Sequence, residues 1–303
     1  MRKLGIYLRA TRLPFTSASV LPVIVTALWC WNKGEFSFIY AISAVLGAFF
    51  LHLGANLMND YYDTFGSDPI NKNPTPFSGG SRVVVNGEMS ARGVFIFASF
   101  FYILAGITGI LLFFYERQLI ILFGLTGAML GFLYSASPVS LMSRGMGEIA
   151  IFLAFGPVLT GGAGYVIAGK IDLAHFLIGI PFGIFTTAIL WINQFPDIEA
   201  DSSAGKRNLV VRLGVDRAKK GYYLLILLGF LSIIVFSLIG VYPLYALIGL
   251  LALPLAFKVF KIISLFKDWK DFIPAQGMTI MMQGLVSILV GIGVLLSRIM
   301  EVF

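Results

Sequence analysis

Charged residues are absent from eight long stretches of this 303-residue chain. Only 12% of its residues are charged, whereas 58% are hydrophobic. A helix rises about 1.5 Å per residue, so about 20 apolar residues cross the roughly 30 Å hydrocarbon core of a bilayer. The charge-free stretches, each long enough to cross, are residues 13–32, 36–59, 93–115, 118–143, 149–169, 173–196, 221–257 and 272–297. We therefore predict an all-α, polytopic membrane protein.

The stretch 221–257 would form a rod of about 55 Å, which is too long for one crossing. Pro243 lies near its middle, where proline favours a turn. We therefore divide this stretch and predict nine transmembrane helices around a central cavity, in one domain over residues 1–303. The helices are expected near 14–32, 37–63, 91–114, 118–136, 146–168, 173–199, 219–240, 243–263 and 274–299, with long connections at 64–90 and 200–218.

The basic residues predict the orientation, because Lys and Arg are retained on the cytoplasmic side of a membrane. With nine spans, the side that holds the N-terminus carries 18 of the 22 basic residues. The other side carries only Lys33, Arg117, Lys170 and Arg298. We therefore expect a cytoplasmic N-terminus. The net charge of +7 reflects this bias and attraction to the lipid bilayer, so no nucleic-acid partner is expected.

Acidic and amide residues are concentrated at two predicted helix ends on that cytoplasmic side. Residues three or four apart share a helix face, so each set can converge. Converging carboxylates at a membrane boundary need a cation, and hard oxygen ligands suit Mg²⁺, which takes its other ligands from water and phosphates. The predicted ligands are Asn59, Asp60, Asp63 and Asp68 at the end of helix 2, and Asp197 and Asp201 at the end of helix 6.

The pattern Asn-x-x-x-Asp occurs in both sets, at Asn59 and Asp63 and again 134 residues later at Asn193 and Asp197. This recurrence is typical of membrane proteins built from internal repeats. It suggests two four-helix repeats, about residues 1–136 and 146–263, followed by a ninth helix. Such repeats would place the two sets opposite each other across the cavity.

A diphosphate held between the two sets also needs cations from the protein. Arg82 in the first connection and Lys206 and Arg207 in the second can supply them, Arg as a bidentate fork and Lys as a point charge. The single cysteine excludes a disulfide framework, and no zinc or catalytic-triad spacing is present. His52 is expected to be a hydrogen-bonded helix residue, although it lies two turns before Asn59 and can line the cavity.

Together these residues resemble the UbiA superfamily of intramembrane prenyltransferases. The resemblance rests on three motifs and covers most of the chain: Asn59-Asp60-x-x-Asp63, Asp197-x-x-x-Asp201 and Tyr134-Ser135-x-x-Pro138. Further segments are similar to the 1,4-dihydroxy-2-naphthoate branch: Gly79-Gly80-Ser81-Arg82-Val83, Gly145-x-Gly147-Glu148 and Phe155-Gly156-Pro157. The chain departs from the family pattern at two positions: Pro196 stands where that branch often has Arg, and Met142 stands where many relatives have a basic residue. The identity of the acceptor therefore stays open.

The resemblance implies an enzyme that transfers a polyprenyl group from its diphosphate to an aromatic or other lipophilic acceptor, with Mg²⁺ as cofactor. It implies catalytic roles for Asp63, Asp197, Asp201 and Tyr134, whose ring can face an allylic cation. Ser135 and Asn193 are then expected to contact the substrate. Either Asp197 or Asp201 can act as the base that removes the acceptor's proton.

A transporter of a divalent cation or phosphorylated solute is the alternative, because repeated halves and interfacial Asp residues suit transport as well. Both acidic sets lie at one face, however, whereas a conduction path needs polar groups across the membrane. Predicted helices 3, 7 and 9 have almost none. The sequence therefore favours the enzyme.

Overall fold

A computed structural model describes residues 2–300, and their side chains from residue 4 onward. Within this range the chain forms helices and no strand. Met1 and residues 301–303 of the predicted domain, and the side chains of Arg2 and Lys3 counted for orientation, lie outside the described residues. The α-helices are α1 (Arg2–Ala10), α2 (Ser17–Asn32), α3 (Phe38–Asp63), α4 (Ala91–Phe114), α5 (Ile120–Ser135), α6 (Gly147–Phe155), α7 (Pro157–Ala168), α8 (Leu173–Ser203), α9 (Leu209–Leu238), α10 (Leu253–Leu265) and α11 (Phe272–Met300).

Short 3₁₀ helices extend three of the α-helices at their N-termini. They are Leu13–Thr16 before α2, Leu244–Ala252 before α10 and Trp269–Asp271 before α11. With these extensions, and with α6 and α7 taken together, eight helical segments in the described range are long and apolar enough to cross a membrane. The ninth predicted span is α5, which has 16 residues. The protein is an integral membrane protein, while nine crossings and a cytoplasmic N-terminus stay predictions.

Two predicted boundaries are wrong. The connection 200–218 is largely helical, because α8 continues to Ser203 and α9 begins at Leu209 rather than near 219. Asn208 starts α9, since its side chain accepts a hydrogen bond of 2.8 Å from the backbone N–H of Val211. Helix α9 is broken at Gly214, whose φ of 70° and ψ of 167° are not helical, and the charged residues that ended the apolar stretch lie in helical turns on both sides of this break.

The predicted helix 146–168 is broken in its middle. Gly156 has φ −110° and ψ −110°, and Pro157 begins the next helix. A Cβ atom at Gly156 would lie 2.9 Å from the carbonyl oxygen of Gly179, so only glycine allows this close approach of α6 and α7 to α8. The break therefore packs both short helices against the central helix.

Helix α8 is the centre of the bundle and α4 lies at its edge. Each helix has one most apolar stretch of 18 residues. In α8, 61% of that stretch is buried, whereas in α4 only 17% is buried. The main core packs α8 against α2, α9 and α11, through side chains such as Phe182, Phe185, Tyr222 and Val286. Exposed Phe and Ile side chains cover α4, as expected for a surface that faces lipid. Helix α8 is thus packed against its neighbours on several sides.

Candidate active site

The C-terminal ends of α3 and α8 meet at one cation, Lys206. Its Nζ lies 2.7 Å from Oδ1 of Asp63 and 3.5 Å from Oδ1 of Asp201. Lys206 is only 8% exposed, because the turn after α8 folds its side chain inward. Burial alone would lower the pKa of Lys206, but the nearby Asp63 and Asp201 outweigh burial and raise it. The two predicted acidic sets therefore face each other.

Asn59 fixes the geometry of the first set. Its Nδ2 donates to Oδ2 of Asp63 at 3.1 Å and to Oγ of Ser135 at 3.0 Å. Ser135 is the last residue of α5, so this contact joins the end of α5 to the end of α3. Asp63 is thereby positioned by its own helix and by a second one, which is the kind of support that a catalytic carboxylate needs.

The segment Gly79–Ser81 links the two sets through its backbone. The N–H of Gly79 donates to Oδ2 of Asp197 at 3.1 Å, and the N–H of Ser81 donates to Oδ1 of Asp60 at 3.0 Å. Between them, Gly80 has φ +72°, and a Cβ atom there would overlap Oδ2 of Asp68. Glycine is needed here for both conformation and space. The Gly79-Gly80-Ser81 segment, which is part of the resemblance to the naphthoate branch, thus directs backbone N–H groups at the carboxylates of Asp60 and Asp197.

Asp197 and Asp201 have further partners that the sequence analysis missed. Asn71 Nδ2 donates to Oδ1 of Asp197 at 2.7 Å. Asn208 Nδ2 donates to Oδ2 of Asp201 at 2.9 Å while its Oδ1 caps α9. Asn208 carries a visible signal, since Asn before an apolar run is a common helix N-cap. Asn71 carries none, because its contact depends on how the long connection folds.

Asp68 is buried beside this cluster, and its carboxylate accepts no hydrogen bond from any residue described in the structure. Burial, with repulsion from Asp63 and Asp60, raises its pKa to about 7. Within residues 4–300, no three His, Cys, Asp or Glu side chains converge closely enough to hold an ion alone. The carboxylates are nevertheless hard oxygen donors, the ligand type that Mg²⁺ combines with water and phosphate oxygens.

Three adjoining cavities lead away from the cluster. The polar cavity, of about 100 Å³, is lined by residues including Asn59, Asp63, Asp68, Asp197, Asp201 and Lys206. The middle cavity, of about 190 Å³, shares Arg12, Asn59, Tyr134, Leu190 and Asn193 with it. The outer cavity, of about 420 Å³, shares Ala48, Leu51, Gly127, Ala154 and Leu159 with the middle cavity. A charged head group and a long apolar tail would find matching surroundings along this path.

Arg12 is a site residue that the sequence analysis counted only toward orientation. Its backbone is left-handed, with φ 51°, and its side chain lines both the polar and the middle cavity. Its Nη2 donates to the carbonyl oxygen of Phe77 at 2.8 Å, and its guanidinium lies 4.7 Å from the ring centroid of Phe15. No motif indicates this inward turn, because it depends on the 3₁₀ helix that follows.

Four of the predicted site residues do not line the polar cavity: Asp60, Arg82, Ser135 and Arg207. The carboxylate of Asp60 faces the backbone of Ser81 instead. The Nη1 atom of Arg82 donates to the backbone carbonyl oxygen of Asp68 at 3.2 Å, outside the lining of the polar cavity. Arg207 is exposed, because consecutive residues of the turn after α8 face opposite ways and Lys206 takes the inner position. Tyr134 and Asn193 lie at the junction of two cavities, whereas Ser135 lines neither and contacts the site only through Asn59.

Comparisons with known proteins identify the family. Residues 19–280 match the family model described as the UbiA prenyltransferase family, so the chain belongs to that family. It is 27% identical to an Escherichia coli 1,4-dihydroxy-2-naphthoate octaprenyltransferase, over 96% of this chain and 94% of that protein. It is 26% identical to a Synechocystis 2-carboxy-1,4-naphthoquinone phytyltransferase, over 87% and 84%.

Solved structures share the fold. A UbiA homologue from Aeropyrum pernix, in its apo form, superposes with a TM-score of 0.71 at 17% identity, over 96% of this chain and 99% of that one. A UbiA homologue from Archaeoglobus fulgidus bound to DMAPP and Mg²⁺ gives 0.66 at 21% identity, over 95% and 98%. Because the chain belongs to the UbiA prenyltransferase family, it is a membrane-embedded prenyltransferase, and the transporter alternative loses its support.

Proposed function

We propose that this protein catalyses Mg²⁺-dependent transfer of a polyprenyl group from its diphosphate to a hydroxylated aromatic acceptor of the naphthoate class, at a site that faces the cytoplasm. The main support is the convergence of two helix-end carboxylate sets on Lys206, at the head of a path that turns from polar to apolar. The naphthoate relatives support the acceptor class. The Archaeoglobus homologue with DMAPP and Mg²⁺ supports the metal.

In this proposal the diphosphate occupies the polar cavity. Asp63, Asp68, Asp197 and Asp201 would hold Mg²⁺, which when bound neutralises charge on the departing diphosphate. Lys206 and Arg12 would contribute fixed positive charge to the same oxygens. The fixed donors around these side chains mean that little reorganisation accompanies the reaction.

The bond between the allylic carbon and the diphosphate oxygen breaks, and its electron pair leaves with the diphosphate. Tyr134 lies where the polar and middle cavities meet, so its ring can stabilise the positive allylic carbon, an interaction of roughly 2 kcal/mol when desolvated. The acceptor carbon then bonds to that carbon, and Asp197 or Asp201 takes the proton released. The apolar walls of the middle cavity exclude water, which would otherwise capture the cation.

The test is incubation of purified protein with radiolabelled geranylgeranyl diphosphate, Mg²⁺ and a panel of aromatic acceptors. A prenylated naphthoate product is expected, and EDTA, Asp63→Ala and Asp197→Ala should each abolish it. Asp216→Ala is the matched control, because Asp216 is an exposed acid on α9 away from the cavities. Absence of any coupled product, with Mg²⁺-independent solute flux in vesicles, would contradict the proposal.

A further inference from the structure

Glu148 is a buried acid that the proposed reaction does not use. It ends the motif Gly145-x-Gly147-Glu148, lies in the first turn of α6 and is 4% exposed. Glu148 lines none of the three cavities at the site, so its carboxylate lies behind the site rather than in it. A buried carboxylate is costly unless hydrogen bonds compensate for the lost water, so its partners indicate what it does.

One carboxylate oxygen of Glu148 makes both of its contacts. Oε1 accepts from Nε2 of Gln194 on α8 and from the backbone N–H of Leu209, the first residue of α9, each at 3.1 Å. Oε2 is buried without a hydrogen-bond partner among residues 4–300. The first N–H groups of a helix have no acceptor within that helix, so an outside acceptor can fix where the helix starts. Glu148 therefore joins α6 to the start of α9.

The turn before α9, residues 204–208, carries Lys206 and is held from two sides. The backbone N–H of Lys206 donates to the carbonyl oxygen of Asp201, near the end of α8, at 2.8 Å. The next N–H, that of Arg207, donates to the carbonyl oxygen of Ser143, just before α6, at 2.9 Å. With the hydrogen bond at the start of α9, these contacts fix the backbone on both sides of Lys206. They therefore set the direction in which its side chain leaves the turn.

The segment that ends in Glu148, residues 143–148, lies against this turn along its length. Gly145 has φ +75°, and a Cβ atom there would lie 3.2 Å from the carbonyl oxygen of Arg207. The Nη2 atom of Arg212 on α9 donates to the carbonyl oxygen of Arg144 at 2.8 Å. The motif therefore supports the part of the chain that places a cation at the site.

We propose that Glu148 is a positioning residue, which directs the ammonium group of Lys206 at the diphosphate by accepting the hydrogen bond from the N–H of Leu209. The acceptor position matters and the negative charge does not, because Oε1 alone makes the contacts. Without this acceptor the start of α9 is released and the turn with Lys206 moves with it. This inference rests on the proposed function only in assigning the diphosphate to Lys206.

The first test compares two conservative variants of the full-length protein. Glu148→Gln keeps an acceptor oxygen at the same reach but removes the charge, so kcat/KM for geranylgeranyl diphosphate should stay within about twofold of wild type. Glu148→Asp keeps the charge but withdraws the carboxylate from Leu209, so kcat/KM should fall about 10- to 100-fold. The same changes at Glu199, an exposed glutamate near the end of α8, are the matched controls. A larger loss in Glu148→Gln than in Glu148→Asp would overturn the inference.

A double-mutant cycle tests whether Glu148 acts through Lys206. When Lys206→Met is already present, adding Glu148→Asp should change kcat/KM by no more than about twofold, since the cation that it positions is then absent. Losses that multiply in the double variant would contradict the inference, because Glu148 would then act through another residue such as Gln194.

Leu209→Pro removes the same hydrogen bond from the donor side. Proline has no N–H and is tolerated at the first position of a helix, and Asn208 before it already has the extended ψ of 169° that a following proline favours. This variant should reproduce the loss of kcat/KM in Glu148→Asp, and it carries the test if Glu148→Asp does not elute as a monodisperse species in detergent. Wild-type kcat/KM in Leu209→Pro would contradict the inference.

The position of Lys206 can also be measured without catalysis. Acetylation by sulfo-N-hydroxysuccinimide acetate, followed by mass spectrometry, should be slow at buried Lys206 and fast at Lys220, which is exposed on α9. The ratio of the Lys206 rate to the Lys220 rate should rise several-fold in Glu148→Asp and stay at the wild-type value in Glu148→Gln. If wild-type protein prenylates no acceptor, the proposed function fails, and this ratio still decides whether Glu148 positions Lys206. The same ratio in wild type, Glu148→Asp and Leu209→Pro would overturn the inference.

Discussion

The polar cavity and the middle cavity share α3 and α8 but are held together by different forces. In the polar cavity, carboxylates are fixed by backbone and amide donors and by Lys206. In the middle cavity, small and apolar side chains make up most of the wall. Substitutions at the polar cavity remove a charge or place an atom on a carboxylate, whereas substitutions at the middle cavity change how well an apolar group fits. We expect the largest effects at the polar cavity.

Replacement of Lys206 should have the largest effect. Lys206→Met leaves Asp63 and Asp201 facing each other without their shared cation. It also removes a fixed charge from the proposed diphosphate site, so kcat should fall roughly 100- to 1,000-fold. The measurement is turnover at saturating Mg²⁺ and substrates.

Arg207→Met is the control for that experiment, because Arg207 is the neighbouring cation but is exposed. It should keep wild-type turnover within about twofold, as surface charges contribute little. Equal losses in the two variants would mean that net positive charge at the membrane surface, rather than the position of Lys206, supports the reaction.

Gly80→Ala should have the next largest effect. The added Cβ would overlap Oδ2 of Asp68 and displace the segment whose N–H groups hold Asp60 and Asp197. We expect a loss of about 10- to 100-fold in kcat/KM for the diphosphate, since small displacements at a preorganised site are costly.

Gly87→Ala provides the matched comparison. Gly87 has φ +69°, close to the +72° of Gly80, but nothing lies within 4 Å of the position its Cβ would take. Both variants carry the same backbone strain, of about 1 kcal/mol. Any difference in activity between them therefore measures the contact with Asp68, and similar losses in both would show that strain alone is responsible.

The dependence on pH should report Asp68. Burial raises the pKa of this carboxyl from 3.8 to about 7, with added repulsion from Asp63 and Asp60. Protonated Asp68 cannot bind a cation. As pH rises toward 7, the Mg²⁺ concentration for half-maximal activity should therefore fall by up to about tenfold per pH unit, and above pH 7 it should stay constant. Asp68→Asn should require more Mg²⁺ and lose this dependence.

Stability of the metal-free protein should change with pH in the direction set by the same group. A carboxyl whose pKa is raised by folding binds its proton more tightly in the native state. The contribution of Asp68 to the free energy of unfolding therefore falls as pH rises from about 3.8 to about 7. The Tm of wild type should decline across this window more than that of Asp68→Asn. An equal decline in both would assign the effect to other groups.

The same contrast between cavities explains what the sequence revealed. Asp63, Asp197 and Asp201 were identifiable because helix periodicity brings residues three or four apart together, and charge at the end of an apolar stretch is conspicuous. Asn71 and Arg12 were not, since each reaches the site through a loop or turn whose path depends on distant contacts. The helical turns between residues 209 and 220, which Gly214 interrupts, were missed because hydropathy detects lipid contact, not helicity, and these turns lie outside the apolar stretch.

The smallest effect is expected where the middle and outer cavities meet. Ala154 on α6 lines both, so the ring added in Ala154→Phe would narrow the passage between them. A short dimethylallyl chain would still fit, whereas a geranylgeranyl chain would lose its apolar contacts in the outer cavity. We expect the ratio of kcat/KM for the short chain over the long one to rise several-fold to about tenfold, since a buried methylene contributes about 0.8 kcal/mol and one or two such contacts would be lost. Ala105→Phe narrows only the outer cavity, so it should shift this ratio less. If both variants leave the ratio unchanged, the tail follows another route out of the polar cavity.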